Sequence, residues 1–65
     1  MNQATNNGCT PLFIASHDGR TKVARLLLKH GADVNQANNN GCTPLFIASQ
    51  GGHAEVARVL LKNGA

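Results

Sequence analysis

The chain repeats itself. The stretch NNGCTPLFIAS at Asn6–Ser16 returns unchanged at Asn39–Ser49, and a shift of 33 places lays Asn7 on Asn40, Cys9 on Cys42, Val23 on Val56 and Gly31 on Gly64. From Asn2 to Ala32, 23 positions keep their identity under that shift. A fixed period in this range means stacked structural units, each with its own turns and elements.

Within one unit, Thr10 can cap a helix with its hydroxyl. Pro11 suits the first helical position, where its missing N–H would go unbonded anyway. Leu12, Ala15 and Ser16 then share a face at helical spacing, and Asp18-Gly19 ends that helix. Val23, Leu26 and Leu27 form a second stripe, with Ala24 and Leu28 beside it. Lys29 and His30 follow where cations suit the helix dipole, and Gly31 takes the position of a left-handed cap. Thr43, Pro44, Leu45, Ala48, Ser49, Gly51-Gly52, Val56, Val59, Leu60 and Gly64 repeat the pattern. The connecting stretch ADVNQANNNGC is polar and Asn-rich, and its Asn40-Gly41 pair signals a tight turn. Each unit therefore reads as a short helix, a turn, a longer helix and a loop with a hairpin-like tip.

These residues resemble the ankyrin repeat: Gly8-x-Thr10-Pro11-Leu12, then Gly19, a Val-x-x-Leu-Leu helix and Gly31-Ala32-Asp33-Val34-Asn35, at a period of 33. The resemblance covers the whole chain as two nearly full repeats, 1–33 and 34–65. It implies an all-α fold, a solenoid fragment of two helix-turn-helix repeats with a hairpin-like loop between them. Three features depart from the family pattern. The family usually has a histidine after Thr-Pro-Leu, whose ring bonds the backbone near the repeat junction; here Phe13 and Phe46 stand there, and both rings are expected to be at least partly buried between the units. Thr5 and Asn38 take the place of an aspartate that often precedes the loop glycine. The usual Gly-His pair is Gly52-His53 in the second unit and Gly19-Arg20 in the first.

Sixty-five residues make one small domain, and a chain this short buries only roughly 60% of the surface it exposes when unfolded. With 42% apolar residues it is not disordered by composition, and with two Phe and no Trp or Tyr its core must be aliphatic. The net charge of +3 is a mild basic excess that favours solubility and weakly favours acidic partners. No apolar run approaches the roughly 20 residues of a membrane span, and no basic-then-apolar leader is present. The expectation is a soluble intracellular protein, cytoplasmic and without membrane contact.

A repeat touches only its neighbours, and at least three are normally needed for stability. Neither end exchanges its Val, Leu or Phe positions for charged residues, as capping repeats do. Leu12, Phe13, Ile14 and Leu27, with Leu45, Phe46, Ile47 and Leu60, are assigned to packing between repeats. Because the units are nearly identical, the trailing face of the second should fit the leading face of another molecule's first, a head-to-tail contact. The chain is expected either to form a homo-oligomer by end-to-end stacking or to belong to a longer array.

The resemblance implies a binding scaffold, not a catalyst: hairpin tips and first helices line a concave groove that holds a protein partner. By position that groove is Ala4, Asn6, Asn7, Cys9, His17 and Asp18, then Ala37, Asn39, Asn40, Cys42, Gln50 and Gly51. These residues are small and polar, with none of the Trp, Tyr or Arg that usually anchor binding. The alternative function is a structural self-assembling unit whose partner is its own kind.

Other chemistries lack their parts. Packed helices lie about 8–10 Å apart, and a disulfide needs Cα atoms closer than about 7 Å. Cys9 and Cys42, equivalent positions in adjacent units, should therefore remain thiols, which suits a reducing compartment. Zinc needs four convergent ligands, and Cys9, Cys42, His17, His30 and His53 show neither Cys-x-x-Cys nor His-x-x-x-His spacing. No metal or cofactor is expected. Cys9 and His17 could approach across a groove, but no third residue or oxyanion pocket completes a nucleophilic site, and the second unit carries Gln50, which is no base. Asp18, Asp33 and Glu55 fall in different elements, and the glycines are single turn residues, not a phosphate-cradling loop. Lys22, Arg25 and Lys29, with Arg58 and Lys62, make a basic stripe on the convex side. Without interleaved aromatics to stack bases, it reads as a solvated face and not a nucleic-acid surface.

Overall fold

A computed structural model describes residues 7–65. Its described residues form four α-helices and no strand: α1 (Pro11–Asp18), α2 (Thr21–Lys29), α3 (Pro44–Gln50) and α4 (Ala54–Lys62). The short helices begin as the sequence indicates. Phe13 N–H donates to Thr10 Oγ1 and Phe46 N–H to Thr43 Oγ1, both at 3.1 Å, with Pro at the start of each helix. Each cap satisfies one of the four N–H groups that a helix leaves unpaired at its start.

All four helices stop the same way. At the end of α1, Gly19 adopts φ +71° and its N–H reaches the Ser16 carbonyl, while the Arg20 N–H reaches the Ala15 carbonyl at 2.9 Å. The same bond pair recurs around Gly31, Gly52 and Gly64. The left-handed φ is open to glycine without steric cost, so these glycines set the helix lengths.

The two helix pairs stack in layers. Within each pair the short helix packs on the long one; between pairs, α1 lies beside α3 and α2 beside α4. Contacts at both ends of α1 fix the direction. Before it, Asn39 N–H donates to the Asn7 carbonyl at 3.0 Å; after it, His53 Nε2 donates to the His17 carbonyl at 3.1 Å. The pairs therefore run side by side in parallel register, as in a solenoid.

The core lies where the pairs meet: Leu12, Ala15, Ala24, Ala32, Ala48, Val56 and Leu60, with Leu27, Leu28, Val34, Leu45 and Ala65 packed against it. Full burial of a side chain such as Leu60 contributes about 1.5–3 kcal/mol. The buried Ser16 hydroxyl donates to the Leu12 carbonyl at 2.7 Å, so it adds no unpaired polar group. The residues assigned to packing between repeats divide. Leu12, Phe13 and Leu60 are buried and Leu27, Leu45 and Ile47 half-buried, but Ile14 and Phe46 face outward. Phe13 is 6% exposed and Phe46 51%, so the burial expected between the units is met at Phe13 alone; among the described residues no further helix pair covers Phe46. Val23 and Leu26, members of the apolar stripe of α2, are exposed for the corresponding reason on the opposite face.

Candidate partner-binding face

The loop joining the pairs is built around Asn38. Its Oδ1 accepts from the N–H groups of Asn40 and Cys42, each at 3.0 Å, and its own N–H donates to the Cys42 carbonyl at 2.9 Å. Gly41 N–H closes the turn on the Asn38 carbonyl at 3.0 Å. One asparagine side chain thus supplies the bonds that a backbone strand would otherwise provide. Its Nδ2 also points at Cys9 Sγ, 3.8 Å away, tying this loop to the segment before α1. Asn39 and Asn40 stand exposed at the tip, with Ala37 and Cys42 half-buried behind them.

The ends of the two short helices supply the rest. His17 and Asp18 close α1, Gln50 and Gly51 follow at the end of α3, and all four are exposed. His17 Nδ1 donates to Asp18 Oδ1 at 2.9 Å, and Arg20 Nε lies 3.9 Å from Asp18 Oδ2. That hydrogen bond, helped by the positive charges of His17, Arg20 and His53, holds the Asp18 carboxyl below its ordinary value despite some desolvation. Of the groove residues assigned from the resemblance, Asn7 is exposed, Cys9 is half-buried, and Ala4 and Asn6 lie outside the described residues.

His53 was assigned neither to the groove nor to packing between repeats, yet it joins the two pairs. Besides its bond to the His17 carbonyl, its ring sits so close over Gly19 that a Cβ there would lie 2.6 Å from Nδ1. The signal was in the sequence: the Gly-His pair stands in the second unit, which follows the first and clasps it.

Neither Cys9 nor Cys42 is in a disulfide. Among the described residues no group of three or more His, Cys, Asp or Glu is placed to hold a metal ion, and no helix is long and apolar enough to cross a membrane. On the outer layer Arg58 bonds Glu55 at 2.9 Å, so the basic stripe of α2 is interrupted on α4 by a carboxylate.

Stacked helix pairs, glycine-ended helices and a loop closed on Asn38 define a helical repeat protein. The chain matches the family described as ankyrin repeats (3 copies) over residues 1–65, and it belongs to that family. Ankyrin repeats are generally protein–protein interaction modules, typically without enzymatic activity. Among curated proteins nothing matches the chain.

Proposed function

We propose that this chain is a non-enzymatic scaffold piece that holds a protein partner against the loop tip and the ends of α1 and α3. The observation that supports it most directly is the hydrogen bonding that ties those positions to their neighbours. Asn38 fixes the tip through four hydrogen bonds, and the His53–His17 bond ties the start of α4 to the end of α1. A loop and helix ends tied down before contact lose little backbone freedom on association. The groups offered are small and mostly neutral (Asn39, Asn40, Gln50), with one charged cluster at His17, Asp18 and Arg20. They suit a polar segment with hydrogen-bonding groups of its own, not a deep apolar anchor.

Affinity capture from the source cells tests this with two variants. H17A/D18A/N40A should lose the captured protein, whereas R25A/K29A on the convex side should keep it. Retention by the first and loss by the second would overturn the reading.

A further inference from the structure

We propose that the chain stacks head to tail on a second copy of itself, the outer face of α3 and α4 of one molecule receiving the outer face of α1 and α2 of the next. Five large apolar side chains are exposed among the described residues: Ile14, Val23 and Leu26 on the first pair, Phe46 and Leu61 on the second. Each has an equivalent 33 places away that is more enclosed. Ile47 is half-buried, Val56 and Val59 are 1% and 6% exposed, Phe13 is 6% exposed, and Leu28 is half-buried. The surfaces left bare outside are therefore the surfaces covered where the pairs meet inside.

A second observation identifies the occupant. A Cβ at Gly19 would collide with the His53 ring, but a Cβ at the equivalent Gly52 would meet nothing within 4 Å. Above Gly52 lies a cavity of about 170 Å³, lined by Ala48, Ser49, Gly52, His53, Ala54 and Ala57. Gly52 is the equivalent of Gly19, over which the His53 ring sits, and Ala48 and Ser49 are the equivalents of Ala15 and Ser16. The seat that the second pair fills on the first is thus open on the second. The residue equivalent to His53 is Arg20. In the joint between molecules Arg20 of one copy enters the cavity of the other and donates to the Gln50 carbonyl, as His53 donates to that of His17. A guanidinium has donors to spare for this bond, and the carbonyl end of a helix attracts a cation. The contact joins two different faces, so it continues from copy to copy.

Sedimentation equilibrium on the full chain tests this, with L26E blocking one face and F46E the other. The wild-type average mass should rise above that of a single chain between about 10 µM and about 1 mM. Each variant alone should stay at single-chain mass, and an equimolar mixture should form a two-chain species, because each variant keeps the face the other lacks. R20A should weaken wild-type association roughly tenfold. Should L26E or F46E lose the wild-type helical circular dichroism signal, V23E or S49E, at exposed positions on the same two faces, takes its place. A wild-type mass that never rises, a single-face variant that associates like wild type, or R20A associating with unchanged affinity would overturn the proposal.

Discussion

The two helix pairs are nearly the same sequence in two environments. Where an interaction is local, they agree: Thr10 and Thr43 cap their helices at the same 3.1 Å, and Gly19 and Gly52 share φ +71°. Where it depends on a neighbour, they part. Ser16 is buried and Ser49 exposed; Val56 is 1% exposed and Val23 42%. Burial in this molecule belongs to a position in the stack, not to a residue type.

The largest effect expected from that difference is at the phenylalanines. F13A empties a filled site between the pairs and should lower stability by about 3–5 kcal/mol in urea or thermal unfolding. F46A, measured where the chain is dilute enough to be single, should lower it by about 1 kcal/mol or less, since half the ring is already solvated. Equal losses would break the comparison.

A smaller contrast is expected at the glycines. G19A and G52A both force a side chain into the left-handed region, at about 1–2 kcal/mol each. G19A must also displace the His53 ring, adding about 1 kcal/mol or more. Chemical denaturation should rank G19A as the more destabilising, and H53A in the background should remove most of the gap.

The smallest effect concerns Asp18, paired with His17 where the second unit has Gly51 beside Gln50. The folded carboxyl titrates below its ordinary value of 3.8. Its contribution to stability is therefore complete above the unfolded value and is lost as pH falls through the folded one. Because Asp18 is exposed, a slight flattening of the acid limb of stability against pH is the expected signature in D18N. An unchanged limb would show that the His17 bond adds nothing to folding.

Helix starts, helix stops and the loop turn were legible in the sequence because they are local. Thr10, Pro11, Gly19 and the Asn40-Gly41 pair act within a few residues of themselves. The apolar stripes were legible as stripes, but periodicity says which side of a helix is apolar, not whether anything lies against it. Leu26 and Leu27 are adjacent members of one stripe, yet Leu26 is 56% exposed and Leu27 packs on the core. His53 was visible as part of a Gly-His pair, but its role between the pairs was not, because that role depends on a carbonyl 36 residues away, at His17.

The joint between the pairs carries a consequence for growth. Fusing another 33-residue segment in the same reading direction creates one more buried seam, yet the tally of uncovered outer surfaces stays at two. Boundary loss is a fixed quantity while cohesive area climbs with every segment, so cohesion per residue rises with length in a one-dimensional array of this kind.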